Sequence, residues 1–232
     1  MINKGTKIAL VDDDSNAADM LSVLLEDAGL EPVVVGGSLH DVDAASALIR
    51  EISSAAICDH RLRPFGMANF SGAQLVSQLY TEGFPAVLIS QYLPIDHDVS
   101  IRQYRERIPV LLSRKEADPE RLVQGIDICR NELEGRFIPQ RKAWRNLVRI
   151  VAKDFESGED VVDAYIPGWR HDEAVRFPAS FLGDFQHLLP EEPTDNLSLR
   201  FFAQVNVGAE EAHELFLTQF EVAPEPKDGS HA

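Results

Sequence analysis

Three consecutive carboxylates, Asp12-Asp13-Asp14, stand directly after the apolar run Ile8-Ala9-Leu10-Val11. Adjacent acids repel one another, so such a run is costly unless a cation sits among them. Other polar residues close short apolar runs in the same way. Asp59 follows Ala55-Ala56-Ile57-Cys58, Ser90 follows Pro85-Ala86-Val87-Leu88-Ile89, and Ser113-Arg114-Lys115 follows Pro109-Val110-Leu111-Leu112. If these runs are strands of one parallel sheet, a carboxylate cluster, a hydroxyl and an ammonium converge on one edge. That set suits a divalent metal with a phosphoryl group: acids hold Mg²⁺, one acid accepts phosphate, and Ser90 and Lys115 hold its oxygens. Each residue alone has a plainer reading. The acidic run can be a solvated turn in which Asp14 or Ser15 caps the next helix, and a single lysine after a strand is ordinary surface. Their joint placement carries the chemistry.

The intervening segments supply the elements that would position them. Ser15 to Ala28 reads as a helix, with Met20, Val23 and Leu24 as its apolar stripe and Gly29 as its stop. Glu31 to Val35 is a second strand, ended by Gly36-Gly37. A helix at Val42 to Ile52 follows, with Ala44, Ala45, Leu48 and Ile49 on one face. His60 to Ser71 is irregular, punctuated by Pro64 and Gly66; Gly72 to Tyr80 and Val99 to Arg107 read as helices. Asp118-Pro119 opens a long helix with proline at its first position, and Leu122, Ile126 and Leu133 share a face. Strand and helix alternate five times, which predicts an α/β, doubly wound (βα)5 parallel sheet whose ligand crevice lies at the strand C-termini.

Composition narrows the function classes. The 232 residues carry a formal net charge of -16, and the surplus is shared: residues 1–139 hold 21 acids against 13 bases, 140–232 hold 17 against 9. Neither half has the basic face that phosphate-backbone binding needs, so nucleic acid is not expected as a partner. No stretch reaches the roughly 20 apolar residues of a membrane span and no signal-type segment opens the chain. Cys58 and Cys129 lie outside any paired motif and fit reduced core residues. The expectation is a cytoplasmic protein with no membrane contact.

Residues 5–135 resemble the receiver domain of bacterial two-component response regulators. The resemblance rests on Ile8-Ala-Leu-Val-Asp-Asp-Asp14, Ile57-Cys-Asp59-His-Arg-Leu-Arg-Pro64, Ala86-Val-Leu-Ile-Ser90 and Leu111-Leu-Ser-Arg-Lys115, in that order and rough spacing. It implies Asp59 as phosphoacceptor, with Asp12 and Asp13 arranging Mg²⁺ beside it and the backbone carbonyl of Arg61 completing the metal site. It further implies Ser90 as switch hydroxyl, Lys115 as partner of the phosphoryl oxygens, and a sensor histidine kinase or phosphotransfer protein as donor. Four features depart from the family pattern. The loop between Asp59 and Gly72 is long, Gln91 follows Ser90 where a small residue is usual, Leu112 stands where a switch aromatic is usual, and Glu116 replaces a proline.

Character changes past the junction Gly135-Arg-Phe-Ile-Pro139. Both tryptophans and eight of the twelve phenylalanines lie beyond residue 140. Leu199, Phe201, Ala203, Val205 and Val207 alternate with polar residues, and Phe216, Thr218, Phe220 and Val222 form a similar set; both predict half-buried antiparallel strands. Further strands are expected at Trp144–Lys153, Asp160–Ile166 and Ala174–Phe177, a turn at Ser157-Gly158, and one short helix at Ala179–Leu189. The expected division is a receiver-like domain over 1–135, a β-rich interaction or output domain over 140–223, and a disordered tail over 224–232. His171, His187 and His213 match no metal-site spacing and read as surface.

The function that follows is a response regulator that takes a phosphoryl group on Asp59 with Mg²⁺ and signals through protein contacts of a non-DNA-binding second domain. It has no enzymatic activity beyond its own phosphorylation chemistry, and a homodimer is compatible. Two alternatives stay open. One is a pseudo-receiver that acts as an interaction module without phosphorylation. The other is a haloacid-dehalogenase-like phosphatase with Asp12 as nucleophile and Asp14 as acid/base. Against the latter, the chain enters a helix at Ser15, leaving no room for the flap that follows the nucleophile in that family.

Overall fold

The computed structural model describes residues 2–62, 66–91, 100–156 and 158–224. The chain divides into two compact units, residues 1–138 and 139–232.

In the first unit, five strands form a parallel sheet in the order β2-β1-β3-β4-β5. They are β1 (Lys7–Val11), β2 (Glu31–Val34), β3 (Ala55–Asp59), β4 (Ala86–Ser90) and β5 (Val110–Ser113). The inner strands β3 and β4 are buried at every residue, which is why they read as continuous apolar runs and not as alternation. The helices are α1 (Ser15–Asp27), α2 (Val42–Ile52), α3 (Gly72–Thr81) and α4 (Pro119–Leu133). Their starts are set by side-chain caps: Asp14 accepts from Asn16 N, Asp41 from Ala44 N, Ser71 from Gln74 N and Asp118 from Arg121 N. Gly29 follows α1 at φ +76°, a backbone conformation that side-chain-bearing residues rarely adopt. The order reverses direction between β1 and β3, and in such sheets the ligand crevice opens at that switch point.

The helix faces correct the sequence reading. In α1 the buried residues are Ala17, Ala18, Leu21 and Leu25, whereas Met20 and Val23 are 47% and 55% exposed. Met20, Val23 and Leu24 also recur at helical spacing, so periodicity alone could not choose between two apolar stripes. The sheet selects the stripe with the small residues Ala17 and Ala18. In α2, Ala45 and Ile49 face the core as expected, joined by Ser46, while Ala44 and Leu48 are exposed. In α4, Leu122 and Ile126 are buried as expected, and Gly125 and Cys129 complete the face; Leu133 is only partly buried. The expected helix at Val99–Arg107 is a 3₁₀ helix over Arg102–Arg107, and Val99 lies outside the described residues.

The second unit is one five-stranded antiparallel sheet in the order β10-β9-β6-β7-β8. Its strands are β6 (Trp144–Glu156), β7 (Glu159–Ile166), β8 (Arg170–Pro178), β9 (Leu199–Val205) and β10 (Leu217–Val222). β6, β7 and β8 form a meander, and β9 returns to pair with the free edge of β6. Phe201, Ala203 and Val205 are buried as their alternation predicts, against Val148, Ile150, Phe177 and a segment of 3₁₀ helix, Ala179–Leu188, broken at Gly183. The alternation expected from Phe216 to Val222 does not persist. Gln219 sits at φ +55° and the register shifts between Thr218 and Glu221, so Phe216 and Leu217 are both buried while Val222 is exposed. The expected turn at Ser157-Gly158 is described only at Gly158, with φ +91°, and residues 225–232 lie outside the described residues.

The two stripes of α1 give a direct test. Leu21→Ala should cost about 2–5 kcal/mol, as truncation of a fully buried leucine does, while Met20→Ala should stay within about 0.5 kcal/mol. Urea denaturation of both variants measures the contrast, and equal losses would restore the Met20 face as the core face.

Candidate functional site

Two strands of the switch point deliver the acids. β1 and β3 are adjacent and in parallel register, Val11 beside Cys58, so Asp12 and Asp59 leave neighbouring strand ends. Both are 7% exposed, and Asp13 is partly buried. Ligand oxygens of Asp12, Asp13 and Asp59 lie within 4.8 Å of one another. Backbone amides hold two of the carboxylates in place: Asp14 N donates to Asp12 Oδ1 at 3.0 Å, and Arg61 N to Asp59 Oδ2 at 2.7 Å. The plain reading of Asp14 is also realised, since it caps α1.

Ser90 ends β4, one residue beyond Ile89, the partner of Asp59, and is fully buried. Ser90 pairs in register with Ser113, the last residue of β5. The next residue, Arg114, turns into the acidic site. Arg114 Nη2 donates to Asp12 Oδ2 at 2.8 Å and also to Asp59 Oδ1. Lys115, the cation expected from the sequence, is exposed and makes no ion pair among the described residues. The reason Arg114 lies there and Lys115 does not is geometric. Arg114–Glu116 is a turn of 3₁₀ helix, so successive side chains are rotated by about a third of a circle; if Arg114 faces the carboxylates, Lys115 cannot. The signal was available in the strand ends, because aligning Ser113 with Ser90 makes the next residue the one that meets Asp59.

The electrostatics follow from burial against this guanidinium. Burial pushes Asp59 up to about 6, with Arg114 pulling it down and Asp12 pushing it up. Burial likewise raises Asp12, against the Asp14 amide and Arg114, which lower it. Burial lowers Arg114, but the charges and hydrogen bonds of Asp12 and Asp59 outweigh it and raise it overall. Cys58, beside Asp59 and fully buried, is driven far above the usual thiol range by burial, so it is not a nucleophile.

Two further features frame the site. Gly72, the first residue of α3, donates its N–H to His60 O at 2.9 Å. A Cβ at this position would stand 1.8 Å from the Asp59 carbonyl oxygen, so only glycine lets α3 begin against β3. The long loop after Asp59 is tied down where it is described. Leu39 N bonds Met67 O at 2.7 Å, Ala68 N bonds Leu62 O at 3.0 Å, and Met67 and Phe70 are buried. With Gly36, Gly37 and Gly66 it walls an open cleft of about 340 Å³ that reaches Asp12 and Asp13. Buried His60 contacts Ser100 Oγ through Nε2 at 3.0 Å, a pairing the sequence did not suggest. Gln91 is exposed.

The donor set of three carboxylates is that of a hard divalent cation such as Mg²⁺. The same space is met from one side by Arg114, whose charge compensates the acids. The residues present therefore fit a metal, provided the guanidinium shares the carboxylates with it.

Comparisons with known proteins fall on this first unit. A receiver domain protein from Clostridium thermocellum is 18% identical, covering 56% of this chain and 97% of its own, with a TM-score of 0.43. A CheY-like receiver domain from Methylobacillus flagellatus is 24% identical over 53% of this chain and 99% of its own, TM-score 0.40. A sensor protein from Polaromonas sp. JS666 is 18% identical over 55% and 98%, TM-score 0.42. The structural neighbours are response regulator receiver domains over the N-terminal part of the chain, and the C-terminal part is unmatched. No family model and no curated protein matches the chain. No helix among the described residues is long and apolar enough to cross a membrane.

Arg114→Ala should lower stability in metal-free buffer by about 3 kcal/mol, because it leaves two buried carboxylates facing each other without a counter-charge. Lys115→Ala should change it by less than about 0.5 kcal/mol. Chemical denaturation with a chelator present makes the comparison. Gly72→Ala should cost at least about 2 kcal/mol through the clash with the Asp59 carbonyl, seen in the same assay.

Proposed function

We propose that the first unit is a phosphoacceptor receiver, with Asp59 as the acceptor, and that the protein is a response regulator of a two-component pathway. The supporting observation is the Asp59 carboxylate, which ends a central strand within 4.8 Å of the ligand atoms of Asp12 and Asp13. Arg61 N holds Asp59 Oδ2 at 2.7 Å. Attack by an Asp59 oxygen on a phosphohistidine forms the O–P bond as the P–N bond of the donor breaks, and the imidazole leaves to take up a proton. Asp12, Asp13, Asp59 and the carbonyl of Arg61 would hold Mg²⁺, which when bound offsets the charge of the incoming phosphoryl group. Arg114 then takes the part expected of Lys115: it already lies on Asp59, and its fork of N–H donors suits phosphoryl oxygens. Ser90, buried at the end of the neighbouring strand, is the hydroxyl placed to follow the phosphoryl group.

A kinase or phosphotransfer partner has a surface to meet. Met20 and Val23 are exposed on α1, and an open groove of about 590 Å³ runs between Ala28, the residue that caps α1, and α4, lined by Pro119, Val123 and Ile128 with the polar Glu120, Gln124, Asp127 and Asn131. The exposed apolar side chains of α1 beside a groove of mixed polarity suit helix-on-helix docking. The second unit, acidic and without a basic stripe, suits output by protein contact, not DNA binding. A second reading draws on one specific observation. Arg114 already supplies the counter-charge that the acidic cluster needs, so a phosphorylation-independent interaction module is compatible with the same geometry. The phosphatase reading loses support because α1 begins at Ser15, directly after the acidic turn.

Intact-protein mass spectrometry after acetyl phosphate with Mg²⁺ should show one added phosphoryl group, mapped to Asp59. Asp59→Asn should take up none, since an amide is a far weaker nucleophile than a carboxylate. Uptake at Asp12 would transfer the case to the phosphatase, and no uptake together with no beryllofluoride binding would leave the interaction module.

A further inference from the structure

The outward face of the second unit's sheet carries two arginines set directly against each other. Arg149 of β6 is in register with Arg200 of β9 on one side and with Tyr165 of β7 on the other. Tyr165 is in turn opposite Ala174 of β8, so one row crosses four strands. Residues in register in an antiparallel sheet project from the same face, about 4.5–5.5 Å apart at Cα. The intervening residues Val148, Ile150 and Phe201 point into the core, which fixes this row as the outer side. Arg149 and Ala174 are exposed.

Like charges directly opposite one another in a sheet are destabilising. Elsewhere on this face the arginines are compensated. Arg145 pairs with Glu221 at 3.2 Å and lies over the Phe202 ring, and Arg176 pairs with Asp163 at 2.7 Å and Glu156 at 2.8 Å. Arg149 and Arg200 have no acid partner among the described residues, in a unit where acids outnumber bases nearly two to one. Arg200 Nη1 is also shut off from water without a hydrogen-bond acceptor. With Arg149 exposed and Arg200 partly buried beside it, an external anion reaching this pair would relieve the like-charge contact.

We propose that this row is a docking surface for an acidic segment of a partner protein, with side-chain carboxylates received by Arg149 and Arg200. Guanidinium forks match carboxylates with two parallel hydrogen bonds. Tyr165 and partly buried Leu147 beside them offer ring and aliphatic contact to the same segment. A nucleic acid fits poorly, because on this face only Arg149 and Arg200 are uncommitted among the described residues, and the surrounding unit is acidic. A free small anion fits poorly as well, because small-ligand sites are concave and this is an open sheet face. The proposal gives a place to the protein contact assigned to this unit above, yet its test needs no phosphorylation, so the two readings fail separately.

The test uses the full-length protein and a fluorescein-labelled glutamate–tyrosine copolymer, followed by fluorescence anisotropy at low salt. The wild type should bind it, and the Arg149→Ser/Arg200→Ser double variant should bind at least about tenfold more weakly. Arg136→Ser, an exposed arginine of the other unit, should leave binding unchanged. The double variant should melt at the same or a higher temperature, because a like-charge pair has been removed. A lower melting temperature would mean that the pair serves the fold, and would overturn the proposal. So would absence of copolymer binding, equal binding by the double variant, tighter binding of a single-stranded oligothymidine, or self-association in sedimentation that the double variant abolishes.

Discussion

The first unit depends on how a guanidinium and two carboxylates share one small space at the end of a parallel sheet. Asp12 and Asp59 are brought together by adjacent strands, and neither can be moved apart without breaking the β1–β3 register. Burial makes their charge costly, and Arg114 is what offsets it. The site is thus an acidic cluster that already holds its own counter-charge. Anything that binds among the carboxylates must contend with a cation already present, and anything that brings negative charge to Asp59 finds that cation waiting.

That competition links the site to its supports. Arg114 is carried by the turn after β5, and Asp59 by the strand on which α3 rests through Gly72. A displaced guanidinium therefore bears on the β5–α4 connection, while a changed Asp59 bears on the start of α3. Both connections run through close backbone contacts, one a tight turn and one a glycine.

The second unit follows a different logic. Its core is made by alternation, one face of β6, β7 and β9 closing over aromatic rings from 177, 201 and 220. Loops are pinned by single buried polar groups. Lys153 Nζ reaches Pro190 O and Glu191 O at 3.0 and 2.8 Å, and Asn206 joins Gln140 O, Glu214 O and Phe216 N. With those groups satisfied, the uncompensated arginines of the outer face stand out as a feature that stability does not explain.

By itself, the sequence determined the first sheet almost completely. Four short apolar runs ending in polar residues, each separated by helical segments, read as strands of a parallel sheet covered on both faces, and the helix caps Asp14, Asp41, Ser71 and Asp118 are local signals that need no tertiary context. It also determined that Asp12, Asp13 and Asp59 would meet, because each immediately follows or ends its strand. It did not determine which cation meets them. Arg114 and Lys115 are adjacent and chemically alike, and only the pairing of Ser113 with Ser90 decides which one turns inward. Nor could periodicity choose between the two apolar stripes of α1, since both repeat at helical spacing and the sheet alone selects the one whose alanines allow close approach. In the second unit the bulge at Gln219 escaped for the same reason: it is a register shift against β9, and register is a relation between strands, written in neither one alone.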